Sequence, residues 1–219
     1  MPAIGDFPTV VQEALALFGA LFDTEPARRH FAAYLTGLIV AENKTISGIN
    51  RECALTTEQS CLHRWWTAVQ GAVTALHDRR LAGRQQAPQT RDSVRGVLAI
   101  ENTLVDHAEK LIEEVGWCWK HADQRHVIAH AYMISHYVCP SKAPYPSEWR
   151  RLKKREACPA PAFKDQTEWW IELIDAALKR SIPGDCTFES YCTSATVLNH
   201  LQSTPRAYVG DLKLNRTVV

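Results

Sequence analysis

The period of the apolar positions changes along the chain. In "FPTVVQEALALFGALF", Val10, Ala14, Leu17 and Leu21 recur at three- and four-residue spacing, which predicts one face of an amphipathic helix. "ARRHFAAYLTGLIVA" repeats the habit. In "NKTISGINRECALTTEQSCLHRWWTAV", Thr45 is placed to cap a short helix over Ile46 to Cys53, and Thr56 or Thr57 a second from Glu58 to Val69. Two short helices joined by a tight turn are the skeleton of a helix-turn-helix, whose second helix would present Gln59, His63 and Arg64; a generic helical bundle gives the same pattern. "GRQQAPQTRDS", Gly83 to Ser93, reads as a linker.

Beyond it the pattern becomes strand-like. Val94 to Ile100 has the character of a buried strand, and "RHVIAHAYMISHYVC", rich in Val, Ile and Tyr, predicts another. "LIEEVGWCWKHADQ" between them reads as a reversal, and the stretch holding Pro140, Pro144 and Pro146 as a loop. "TEWWIELIDAALKRSIPG" predicts a helix capped by Thr167, lined by Trp170, Ile174 and Leu178, and stopped by Pro183-Gly184. A strand "CTFESYC", a helix "SATVLNHLQS" and a last strand "RAYVGDLKL" follow. Helices first, then strands, then alternation of β and α predict an α/β protein: a helical region over 1–90 and a mixed-sheet domain over 91–219.

Composition adds little to this picture. A chain of 219 residues with 46% hydrophobic content can bury a real core. Its 25 basic and 24 acidic residues give no global pull toward nucleic acid or membrane, so any electrostatic footprint is local. Two basic clusters stand out: Arg79 to Arg95, and "EWRRLKKRE", where Arg150, Arg151, Lys153, Lys154 and Arg155 lie between two acids. Seven cysteines without a CxxC pair read as reduced thiols. No basic n-region precedes the first apolar run, and no stretch approaches a membrane span, so a cytoplasmic location is expected.

Two acids invite a chemical reading. Glu101 follows one apolar run and Glu189 ends another, and in a mixed sheet these strands can lie side by side although 88 residues separate the carboxylates. Converging carboxylates at strand ends suit hard divalent cations. The rival zinc site, from His126, His130 and His136, fails on spacing: residues four and six apart on a strand are roughly 13 and 20 Å apart.

The segments "FAAYLTGLIVAENKTISGINREC", "LAIENTLVDHAEKLIEEVGWCWKHADQRHVIAHAYMIS", "YPSEWRRLKKRE", "FKDQTEWWIELID" and "FESYCTSATVLNHLQSTPRAYVGDLKLNR" together resemble a bacterial insertion-sequence transposase of the DDE type, over nearly the whole chain. The resemblance implies a helical N-terminal region that helps bind DNA and a ribonuclease-H-like domain. In that domain the first and fourth strands each carry a catalytic Asp and a late helix a Glu. Where such transposases show "IDNT" or "IDDT", this chain has Ile100-Glu101-Asn102-Thr103; where they show "FDSY", it has Phe188-Glu189-Ser190-Tyr191. The third acid would fall beyond Val219, so an incomplete domain is expected.

The resemblance therefore implies Glu101 and Glu189 as catalytic metal ligands for Mg²⁺. Asp106 is a further candidate ligand, and Glu101, Asn102 and Asp106 stand as alternatives for the first position. Arg64, Arg150, Arg151, Lys153, Lys154 and Arg155 would contact the phosphates of double-stranded DNA at transposon ends. A nucleoid-associated protein acting in transposition is expected, with a homodimer left open. The alternative is a catalytically inactive remnant that binds only DNA or a partner. A helical interaction protein with an unrelated α/β domain would be favoured if the 148–156 cluster faced away from the acids.

Overall fold

A computed structural model describes residues 6–52, 59–69, 73–108, 112–158, 163–190 and 193–211. The chain divides into two compact units, Met1–Ala87 and Pro88–Val219. Among the described residues there are seven α-helices and a six-stranded mixed sheet, and no helix is long and apolar enough to cross a membrane.

The first unit is helical: α1 (Thr9–Phe18), α2 (Glu25–Val40), α3 (Ile46–Glu52), α4 (Gln59–Ala68) and α5 (Val73–Gln86). Thr24 caps α2 by accepting the Ala27 N–H, and Thr45 caps α3 by accepting the Gly48 N–H at 3.0 Å. Phe22, Phe31, Ile49, Leu62 and Trp65 form the core. Helices α2 and α3 meet at Gly37, where a Cβ would come within 2.2 Å of the Ile49 side chain. The buried face of α1 is one residue out of step with the sequence expectation: Val11 is buried and Val10 is 57% exposed. The reason is the continuation past the helix, since the turn after it delivers Phe22, in phase with Val11, Leu15 and Phe18, against Phe31. Thr56 and Thr57, the expected caps of α4, lie outside the described residues, as does the turn of the anticipated helix-turn-helix.

The second unit is built on β1 (Val97–Asp106), β2 (Gly116–Lys120), β3 (Arg125–Val138), β4 (Pro144–Leu152), α6 (Gln166–Lys179), β5 (Asp185–Phe188), α7 (Ala195–Gln202) and β6 (Tyr208–Gly210). β3 pairs antiparallel with β1 along one edge and with both β2 and β4 along the other; β5 and β6 run parallel to β1. Parallel neighbours need crossovers, which α6 and α7 supply. On one face, Leu98, Ile100, Met133, Tyr137 and Phe188 are buried, and α6 covers that face with Trp170, Leu173, Ile174 and Ala177. Trp170 meets the Phe188 ring edge-on at 5.0 Å.

Several elements differ from the sequence expectation. β1 begins at Val97 and runs to Asp106, because Val94 is 80% exposed and the chain turns at Ser93–Gly96. The expected reversal contains β2. The expected proline loop contains β4, in which Pro144 and Pro146 are tolerated because the strand lies at the sheet edge and carries a bulge opposite Ser135 and His136. Asp165, not Thr167, caps α6, in a capping box with Glu168. The chain leaves that helix through Ser181, whose φ of 55° lies in the left-handed region, and only then come Pro183 and Gly184. Gly184, at φ 96°, lets β5 start against β1: a Cβ there would stand 2.2 Å from the Gly96 carbonyl oxygen.

Trp170→Ala is expected to cost about 3–5 kcal/mol, the range for truncating a large buried aromatic. The check is amide exchange in β1 and β5, which should lose protection while α2 keeps it.

Candidate functional site

The pairing of β1 with β5 sets where the acids stand. Val97, Leu98, Ala99 and Ile100 lie beside Asp185, Cys186, Thr187 and Phe188, so Glu101 and Glu189 are the next residue on each neighbouring chain segment. Side chains alternate along strands. Since Ile100 and Phe188 face α6, Glu101 points to the opposite face; Glu189 is the residue that follows β5. Both are exposed, and the Glu189 side chain makes no ion pair or hydrogen bond to another described residue.

Glu101 makes one ion pair among the described residues, in a pairing that no sequence pattern signals. His136, which pairs with Ala99 across β1 and β3, reaches diagonally to bring Nε2 to 3.2 Å from Glu101 Oε1. The other histidines of β3 go elsewhere: His130 is within 2.8 Å of His107, and the His126 ring packs edge-on against Trp119. Asp106 does not join the acids. Five residues along β1 from Glu101, it is roughly 17 Å away and on the other face, where Lys120 holds it at 2.7 Å. Asn102 also has the parity of the α6 face, opposite Met133.

The basic residues of β4 are largely committed within the fold. Arg150 faces α6, where it donates to Glu172 at 2.8 Å and to buried Glu148 at 2.9 Å; Arg180 also donates to Glu148, and Lys164 pairs with Glu172. Arg151 and Lys153 share Glu114. Arg155 lies 4.7 Å over the Phe163 ring, with its guanidinium otherwise exposed. Lys153, Lys154 and Lys164 ring a cleft of about 460 Å³ beside the start of α6, together with Glu114 and Asp165. The cluster is thus divided: Trp149 and Arg151 share the face of Glu101 by register, whereas Arg150 lies on the α6 face. In the helical unit, Arg64 and His63 are exposed on α4, with Arg64 donating to the Cys61 sulfur at 3.3 Å.

The chain matches no protein-family profile and no curated protein.

Two exposed carboxylates that follow paired residues of β1 and β5 are of the donor type a hard cation takes. They do not by themselves make a two-ion centre: among the described residues no three His, Cys, Asp or Glu side chains stand together as a ligand set. Neighbouring Glu101 and Glu189 were legible from two apolar runs each ending on an acid. The role of His136 was not, because a cross-strand diagonal depends on register. The Glu148 and Glu172 partners of the basic cluster were likewise hidden, since α6 must dock before they meet it.

The network on β4 and α6 has two measurable consequences. Arg150→Ala leaves buried Glu148 with one partner fewer and is expected to cost about 2–3 kcal/mol, below the range for a fully buried pair because the site is half-exposed; urea unfolding measures it. Burial pulls the Glu172 carboxyl up, but hydrogen bonds from Lys164 and Arg150 outweigh this and hold its pKa below the ordinary value of 4.5. A carboxyl depressed in the folded state contributes stability above its unfolded pKa and loses it as pH falls through the folded one. Glu172→Gln should therefore lower stability at neutral pH and flatten its decline below about pH 4.5, as read by unfolding midpoints across pH.

Proposed function

We propose that this is a DNA-binding protein of the DDE transposase lineage, with a helical DNA-contacting unit and a ribonuclease-H-like domain, acting on the ends of an insertion sequence. The observation that carries the reading is the sheet order, β4-β3-β1-β5-β6, in which a meander of antiparallel strands is followed by two strands parallel to β1 through helical crossovers. In that arrangement the end of β5 lies beside the middle of β1, and an acid stands on each chain segment there. The resemblance implies its first two ligands on neighbouring strands, and the β1–β5 pairing supports the reading to that extent.

In the reading, Glu101 and Glu189 bind and orient a Mg²⁺ ion, which when bound supplies electrostatic stabilisation of an attacking or leaving oxygen at phosphorus. Glu189 faces solvent without a partner among the described residues and is open to a ligand. Glu101 is held in place by His136. For DNA contact the observations favour Arg64, Lys154 and Arg155, which have no acid partner among the described residues, over Arg150, Arg151 and Lys153, which do.

A second reading, a catalytically inactive member of the lineage that only binds DNA, is favoured by one observation: no third acid or other ligand joins Glu101 and Glu189 in a set among the described residues. Each acid is also one methylene longer than the aspartate of the resemblance, and a misplacement of about 1 Å can cost about 100-fold in rate.

Fluorescence anisotropy with duplex DNA across salt concentrations tests DNA binding. Replacing Lys154 and Arg155 with Ala is expected to lower the log-log slope by about 0.9 for each phosphate no longer neutralised, and Arg150→Ala to leave it unchanged. The absence of salt-dependent binding would overturn the DNA reading. The 219-residue chain is expected not to nick plasmid DNA with Mg²⁺; metal-dependent nicking abolished by Glu189→Gln would replace the inactive reading with the active one.

A further inference from the structure

Side chains on the α6 face of the sheet change size along β3. Under the helix they are large, with Leu98, Ile100, Met133 and Phe188 buried; toward the start of the helix Ala131 and Ala129 follow Met133 on the same face, and Gly116 lies opposite Ala129. The space they leave is the cleft of about 460 Å³, a volume ordinary for a small-molecule site. Its floor is Gly116, Cys118, Ala129, Ala131 and Leu152, none of them charged, and Phe163 adds an aromatic wall. The acids that line it are already engaged: Glu114 is shared by Arg151 and Lys153, and Asp165 accepts the Glu168 N–H as the cap of α6. Lys154 has no acid partner among the described residues, and its stem lies across Gly116, where a Cβ would stand 2.8 Å from Lys154 Cε and 3.4 Å from Nζ. The missing side chain is what seats that ammonium over the floor. Arg155, also without an acid partner among the described residues, lies 4.7 Å over the ring of Phe163.

We propose that this cleft binds a nucleotide: Lys154 and Arg155 hold the phosphate at its mouth, and the base lies on the uncharged floor against Phe163. A phosphate alone would leave the apolar floor in water, and an apolar molecule without one would leave the two cations unused. The chemistry that fits both is a phosphomonoester on a flat, largely apolar body, whether a free nucleotide or the 5′ end of a DNA strand. The site needs neither Glu101 nor Glu189. It shares Lys154 and Arg155 with the reading of duplex binding, and the test separates the two.

The test uses the full chain in calorimetric titrations with deoxyadenosine 5′-monophosphate, deoxyadenosine, inorganic phosphate and a 5′-phosphorylated trinucleotide. The nucleotide is expected to bind at least about tenfold more tightly than deoxyadenosine or inorganic phosphate, since only it uses the cations and the floor together. It should slow alkylation of Cys118, in the floor, and leave that of Cys61, on α4, unchanged. Gly116→Ala keeps every charge but displaces the Lys154 stem; it should weaken nucleotide binding by about tenfold, while the salt dependence of duplex binding and the thermal unfolding midpoint stay close to the parent's. Ala131→Leu fills the floor and should bring nucleotide affinity down toward that of inorganic phosphate. Tighter binding of the trinucleotide than of the mononucleotide assigns the cleft to a strand end, and the reverse assigns it to a free nucleotide. If nucleotide and inorganic phosphate bind alike and neither variant changes them, the cleft is only a positive surface; the proposal is then overturned and the duplex reading is untouched. If neither the mononucleotide nor the trinucleotide binds the folded parent, the proposal fails as well.

Discussion

β1 is hydrogen-bonded along both edges, antiparallel to β3 over ten residue pairs and parallel to β5 over four, and the two pairings make different demands. The antiparallel edge needs only a turn and register; the parallel edge needs the chain to leave the sheet, cross it and return. That crossover is α6, and its route buries Leu98 and Ile100 of β1 beneath Trp170 and Ile174. Because side chains alternate, committing those two positions to α6 puts Ala99 and Glu101 on the other face. The polarity of the acid, the register with β5 and the position of the helix are thus one constraint seen from three sides.

The same docking of α6 decides what becomes of the basic cluster. A row of arginines and lysines read along the sequence suggests a positive surface. In the fold, Glu148 and Glu172 occupy the space between β4 and α6, and the cations nearest to them close an ionic network around that seam. Such a network stabilises the seam mainly by forbidding its disruption, since a buried carboxylate left without its cation is costly. Charge used in this way is withdrawn from any phosphate. The cations of the cluster left to the surface, Lys154 and Arg155, lie just past the end of β4.

The sheet face opposite α6 carries the Glu101–His136 pair, flanked by half-exposed Trp149, whereas the α6 face carries the packing, the seam and the Lys120–Asp106 pair.

Local chemistry was legible in the sequence. Thr45 as a cap of α3, the apolar stripe of α6 through Trp170 and Ile174, the apolar runs that end at Glu101 and Glu189, and the β–α alternation of the last third all follow from periodicity and capping, which depend on a few adjacent residues. Even Asp165 with Glu168 satisfies the capping-box pattern, and Thr167 merely competed with it. Tertiary structure decided the rest, because each remaining feature depends on a partner distant in sequence. The phase of α1 was settled by where Phe22 meets Phe31. Pro144 and Pro146 became strand residues because β4 took an edge and a bulge. Arg150 was drawn into the seam by Glu172, 22 residues away, and Glu101 met His136 through a register that no stretch of sequence encodes by itself. Hydrophobic pattern specifies which face of an element is buried; only packing of the elements against one another specifies which charged groups meet.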